Sequence, residues 1–260
     1  MQISELKLAK DLIRKPSITP KDAGAINLLA KNLRSIGFNC KIINFKNIKN
    51  LYAKLGKSSP NFCYAGHTDV VPPGNIKNWT TNPFKPIVRN NKLIGRGAND
   101  MKASIACFVA AVSRFKNENK NFKGSISLLI TGDEEGYATN GTKKVVDYLK
   151  KKKEKINFCI VGEPTNPKKL GEMIKIGRRG SLTAELEIFG TQGHIAYPHL
   201  SNNPISTLVA ICKKLKEKKL DKGNKDFQPS NLEFTSINVD NKAHNVIPAR
   251  AKAQFNIRYN

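Results

Sequence analysis

The chain has little that would send it into a membrane or an oxidising compartment. Its first residues, MQISELKLAKDLIRK, mix charge with apolar side chains and hold no uninterrupted apolar run. Neither a signal peptide nor a spanning helix is read there, so a cytoplasmic location is expected. Cysteine is sparse and scattered: Cys40, Cys63, Cys107, Cys159 and Cys212 never form a CxxC pair. That spacing argues against a thiolate zinc site and against a disulfide framework, leaving reduced thiols. Acidic residues are few, 20 against 45 Lys and Arg, for a formal charge of +25. Such a charge suits phosphate binding, but the lysines are spread along the chain among Asn and Ile. The run Lys150 to Lys153 falls at an expected helix end, where cations suit the dipole, and no nucleic-acid module accompanies it. No nucleic-acid and no membrane partner is therefore expected, and the positive field is suited instead to drawing in an anionic small molecule. Internal repeats and low-complexity linkers are absent.

What is present is enough apolar residue, 39% of 260, to bury a sizeable core. The first half alternates helix and strand signals as an α/β layer does. Thr19 and Pro20 predict a helix start, followed by Ala23, Ile26, Ala30 and Leu33 at helical spacing and closed by Gly37. Phe62 to Ala65, Ser125 to Ile130 and Phe158 to Val161 read as strands, with helices from about Met101 to Phe115 and Thr142 to Lys153, and parallel pairing is expected. From Gly180 the pattern changes. Leu182, Ala184, Leu186 and Ile188 alternate with polar residues, Asn203-Pro204 opens a helix to about Lys219, and Leu232 to Val239 and Ala251 to Tyr259 alternate again, which reads as an α+β module.

Four acidic or histidine clusters directly follow strand-like runs: His67 and Asp69 in AGHTDVVPPG, Asp100 in GRGANDMK, Glu134 and Glu135 in TGDEEG, and Glu163 in VGEPTN. Any one alone is more often a helix cap or a solvated charge. Together they point to one cleft at the carboxyl edge of the sheet. Imidazole and carboxylate oxygen are good zinc ligands, and a carboxylate such as Asp100 has two oxygens with which to bridge two ions. Asp69 stands where it can orient His67. One of the adjacent glutamates can bind metal while the other carries the proton of a water; spacing leaves open which is which.

These segments, in this order, resemble the M20 family of zinc amidohydrolases. IKIGRRGSLTAELEIFGTQGHIAYPHLSNNP and the stretch from Asp240-Asn241-Lys242 to Asn260 are similar to its desuccinylase branch, and the likeness runs over essentially the whole chain. It implies an α/β zinc-hydrolase catalytic domain with a mostly parallel sheet, residues 1–178, and an inserted α+β dimerisation (lid) domain, residues 179–260. It implies two Zn2+ per subunit, with Co2+ able to substitute: His67 and Glu163 on the first ion, Asp100 as the bridge, Glu135 on the second. Glu134 would be general base and then general acid, with Asp69 orienting His67. His194 resembles the histidine that crosses a homodimer interface to stabilise the oxyanion in the partner's site. Arg178, Ser181, Tyr197, Asn245 and Arg258 resemble substrate contacts, the arginine forks matching the carboxylates of a dicarboxylate substrate. His199 and His244 take no role and are read as surface residues. The implied reaction is hydrolysis of the amide of N-succinyl-LL-2,6-diaminopimelate in lysine and diaminopimelate synthesis. The sibling alternative is another N-acyl-amino-acid deacylase, such as an acetylornithine deacetylase-like enzyme, or a peptidase; the alternative of another class is an inert binding protein. The family pattern further implies a return segment bringing a histidine to the second zinc. These 260 residues do not include it, so an under-coordinated second ion and exposed sheet edges are expected.

Overall fold

A computed structural model describes residues 2–260 of the chain. They form two compact units that divide between Leu170 and Gly171.

The first unit opens with helix α1 (Glu5–Ile13), capped by the Ser4 hydroxyl, which accepts from Lys7 N–H; it buries Leu8, Ala9, Leu12 and Ile13. Helix α2 (Ala25–Ser35) buries Ile26, Leu29, Ala30 and Leu33, an i, i+3, i+4, i+7 stripe. Its start departs from the expected Thr19-Pro20. Ile18 bridges Val70, and Thr19 N–H donates to Val70 O at 3.1 Å, which keeps this stretch extended. Asp22 does the capping instead, accepting the amides of Gly24 at 3.0 Å and Ile26 at 2.9 Å.

Strands β1 (Asn39–Phe45), β2 (Ile48–Leu55) and β3 (Asn61–His67) follow, then a short hairpin of β4 (Ile87–Arg89) and β5 (Lys92–Ile94). Helix α3 (Ala103–Glu118), β6 (Ser125–Thr131), α4 (Thr142–Lys151) and β7 (Phe158–Val161) complete the unit. The sheet order is β1-β2-β6-β3-β7. Pairing is parallel for β6-β3 and β3-β7 and antiparallel for β1-β2 and β2-β6, so four strands run one way and β2 alone opposes them. The mostly parallel sheet expected from the sequence is thus present, with a β1-β2 hairpin added that the sequence reading missed.

Strand alternation sorts the side chains between two cores. Leu51, Ala53, Tyr64, Leu128 and Ile130 pack with α1, α2 and α3, while Tyr52, Cys63 and Leu129 pack with Val145 and Leu149 of α4. Covering both faces is what lets near-continuous apolar strands be buried. Leu128 has no exposed surface. Leu128→Ala is expected to cost about 3 kcal/mol through the cavity it leaves, read as a lower urea midpoint with an unchanged slope.

The second unit contains β8 (Gly180–Phe189), β9 (Gly193–His194), α5 (Pro204–Glu217), β10 (Asn231–Asn238), β11 (Val246–Ile247) and β12 (Arg250–Tyr259). Strands β10-β12-β8 make an antiparallel sheet, and β9 pairs with β11. As its sequence predicts, α5 is capped by Asn203, whose side chain accepts from Ile205 N–H, with Pro204 in the first turn. Leu208 and Cys212 of α5 sit on Ala251 and Ala253 of β12, whose small side chains allow close approach. On β8, Glu185 and Glu187 point outward and pair with Lys252 and Arg250. Among the described residues no helix is long and apolar enough to cross a membrane.

Candidate metal centre

The parallel strands β3, β6 and β7 end at one edge of the sheet, and each hands the chain to a site residue within a few positions. His67 is the last residue of β3, Glu134 and Glu135 follow β6, and Glu163 follows β7. Asp100 lies in the irregular turn before α3. Around the His67 imidazole, 1% exposed, the carboxylates converge: Nε2 stands 3.0 Å from Asp100 Oδ1, 3.5 Å from Glu163 Oε1 and 3.8 Å from Glu134 Oε2. Two overlapping donor sets result, His67-Asp100-Glu135 and His67-Glu134-Glu163.

Asp69 has two tasks. Its main-chain oxygen takes the His67 Nδ1 hydrogen bond at 3.0 Å, while its carboxylate stands further off, with Oδ1 at 3.6 Å. That carboxylate is engaged elsewhere: Oδ2 accepts the backbone amides of both Glu134 and Glu135 at 3.0 Å. The bond at Nδ1 leaves Nε2 to face the carboxylates. Burial acts to lower the His67 pKa, but hydrogen bonding and charge from Asp69, helped by the Glu163 charge, overcome it and raise the ion-free imidazole to about 9. Glu135 is also raised, first by burial and then by the Asp100 charge.

Divalent cations fit this cradle. His67 Nε2 and Asp100 Oδ1 are both buried and both lack a hydrogen-bond partner, although they face each other across 3.0 Å. With His67 neutral these are two buried acceptors facing each other, a costly pair unless a cation meets both. Imidazole with several carboxylates is a borderline-to-hard donor set, suited to zinc and similar ions.

Residues missed by sequence reasoning support the site from behind. Lys102 has no exposed surface, and its Nζ donates to Leu12 O at 3.0 Å and Lys15 O at 2.7 Å, tying the turn after Asp100 to the end of α1. Burial pushes its amine down to about 7, against the pull of Asp69 and Asp22. Buried Asp133 accepts the amides of Ala138 and Asn140 and so shapes the loop beyond the two glutamates.

The remaining predicted residues lie in the second unit. His194 and Val246 are register partners in β9 and β11, and Asn245 O accepts Ile195 N–H at 3.1 Å; Tyr197 N–H bonds His194 O. His194, Tyr197 and Asn245 thus share one exposed corner, where His199 also packs against the Tyr197 ring. Ser181 and Arg258 are register partners on β8 and β12. Arg178 is exposed and precedes β8.

Comparison with known proteins agrees with the fold. Peptidase family M20/M25/M40 matches residues 63–244. The chain is 65% identical to the succinyl-diaminopimelate desuccinylase of Pelagibacter ubique, over 99% of this chain and 68% of that protein. It is 54% identical to that of Rhodospirillum centenum, over 98% and 67%. The chain therefore spans about two thirds of the length of these relatives. Among solved structures, the M20 family metallo-carboxypeptidase Sso-CP2 from Sulfolobus solfataricus aligns with a TM-score of 0.80 at 21% identity, over 98% of this chain and 71% of that one. Bacillus subtilis YXEP, described as a dinuclear metal binding peptidase, aligns at 0.64 with 16% identity, over 98% and 63%; at these identities the likeness concerns the fold. With a family match over most of its length and relatives this similar over nearly all of it, the chain belongs to peptidase family M20/M25/M40.

Proposed function

We propose that this chain carries the catalytic machinery of a zinc-dependent amidohydrolase. The reaction would cleave N-succinyl-LL-2,6-diaminopimelate to succinate and LL-2,6-diaminopimelate, in the cytoplasm. The observation that carries the reading is the convergence of His67, Asp100, Glu134, Glu135 and Glu163 at one strand edge, in a chain so similar to succinyl-diaminopimelate desuccinylases. His67 and Glu163 would hold one Zn2+, Glu135 the other, and Asp100 would lie between them, with Co2+ able to substitute. Divalent cations, when bound, polarise a carbonyl and lower the pKa of a water.

The protein's own groups then move protons and hold charge. Glu134 takes the proton of the attacking water and gives it to the amine nitrogen as the C–N bond breaks. Asp69 holds the backbone of Glu134 and Glu135 and the tautomer of His67 while this happens. Residues 179–260 act as the lid and dimerisation domain and residues 1–178 as the catalytic domain, and His194 serves the partner's site in a homodimer. Its chemistry suits that role. His194 Nδ1 accepts Ala196 N–H at 3.1 Å, so the neutral ring carries its proton on Nε2, a donor for an oxyanion. Arg178, Arg258, Ser181, Tyr197 and Asn245 would seat the substrate's carboxylates and polar groups.

His194→Ala is expected to lower kcat about 100-fold with little change in KM, because its contact forms mainly as negative charge develops; a rise in KM alone would count against it. The function itself is tested by hydrolysis of N-succinyl-LL-diaminopimelate with the protein expressed from its complete reading frame, with zinc and with chelator. Zinc-dependent release of succinate supports it. Absence of turnover, with turnover of another N-acyl amino acid, would move the assignment to a sibling deacylase.

A further inference from the structure

A pair of hydroxyls lies directly behind the metal centre, outside every residue assigned above. Ser104 is in the first turn of α3, four residues after Asp100, and its hydroxyl donates to Gly162 O at 2.7 Å. Its one proton is committed there, so the 2.7 Å contact with the Tyr64 hydroxyl must have Tyr64 as donor. Tyr64 is 4% exposed and stacks on Phe108 with ring centroids 4.4 Å apart, which fixes where its hydroxyl points. Burial raises the Tyr64 hydroxyl to about 12, so it keeps its proton.

Gly162 is held from both ends. Its N–H donates to Ala65 O of β3 at 3.0 Å, while its carbonyl receives Ser104. No side chain fits here, since a Cβ on Gly162 would run into the Tyr64 hydroxyl. The next residue is Glu163, whose carboxylate reaches to 3.5 Å from His67 Nε2. The relay from Tyr64 through Ser104 to Gly162 therefore joins the three backbone segments that bring His67, Asp100 and Glu163 together.

Building on the metal-centre reading, we infer that Ser104, backed by Tyr64, is a positioning residue that sets Glu163 for its ion. It touches neither ion nor substrate. Ser104 acts through the Gly162 carbonyl, and the Tyr64 hydroxyl, which also lies against Gly162, donates to Ser104, so the two effects are not independent.

The test is zinc affinity of the 260-residue chain by competition with a chromophoric chelator, reading the binding step that Glu163→Ala abolishes, with thermal unfolding measured alongside. Ser104→Ala is expected to weaken that step about 10-fold, the low end of what supporting partners of metal ligands contribute, and Tyr64→Phe about 3-fold. Ser104→Thr keeps the hydroxyl and should stay within about 2-fold. The double variant should lose less than the product of the two single losses, because the two hydroxyls share one hydrogen-bonded route to the Gly162 carbonyl. Unchanged affinity in Ser104→Ala beside a lowered Tm would reduce the hydroxyl to an ordinary fastening and overturn the inference. So would multiplying effects in the double variant. A wild-type chain that takes up no zinc would instead remove the metal-centre reading, and the relay's role with it.

Discussion

Glu134→Gln is expected to leave zinc uptake intact and to lower kcat by about 10²–10⁴-fold, the range that a positioned acid–base group contributes. The substitution keeps size and hydrogen bonding but removes the ability to take and return a proton. kcat and kcat/KM should fall together, since the lost interaction belongs to the transition state. The variant also decides between the two overlapping donor sets. Glu134 and Glu135 both lie near His67, one grouped with Glu163 and the other with Asp100. If Glu134 were the ligand and Glu135 the proton carrier, Glu134→Gln would lose an ion, and Glu135→Gln would give the retained-zinc, dead-enzyme result.

Zinc affinity is expected to rise steeply with pH, by about 50-fold between pH 7 and 9, and then to level. Zinc needs a neutral imidazole, and the ion-free His67 keeps its proton to about pH 9, so about one proton must leave for each first ion bound. Calorimetry at pH 7.5 in buffers of different ionisation heat would count that proton; release near zero would contradict the raised His67 pKa. Stability of the ion-free protein is the wrong readout for this purpose. A His67 pKa raised above its unfolded value gives stability that is present below about pH 6.5 and lost as pH rises through about 9. Lys102 shifts the other way, its amine lowered to about 7. The folded state therefore lacks a proton there between about pH 7 and the usual lysine range, and stability returns as pH rises across it. Between pH 7 and 9 the two nearly cancel.

The chemistry was more legible in the sequence than the scaffold around it. His67, Asp100, Glu134, Glu135 and Glu163 stood out because each followed a strand-like run or a glycine-rich turn, and parallel strands deliver such residues to one edge. The β1-β2 hairpin carried no such mark. Its two-residue turn places Lys46 at φ 52°, a position where glycine or asparagine usually announces the bend. The start of α2 was misplaced because Thr19-Pro20 has the right residue types, and only the pairing of Ile18 and Thr19 with Val70 rules it out. Ser104, Lys102 and Tyr64 were invisible for another reason. Their partners are main-chain carbonyls or hydroxyls 40 to 90 positions away, and no periodicity encodes that.

If, as proposed, Glu135 holds an ion and Glu134 carries the proton, the double grip of Asp69 on their amides makes ion identity a kinetic variable. A cation of different radius draws Glu135 inward or lets it out. Because both glutamates hang from one carboxylate, the neighbouring proton carrier shifts with it. Exchanging the metal should then alter turnover by moving Glu134 as well as by changing the ion's acidity, so that the rate ranking of metals need not follow their affinity ranking.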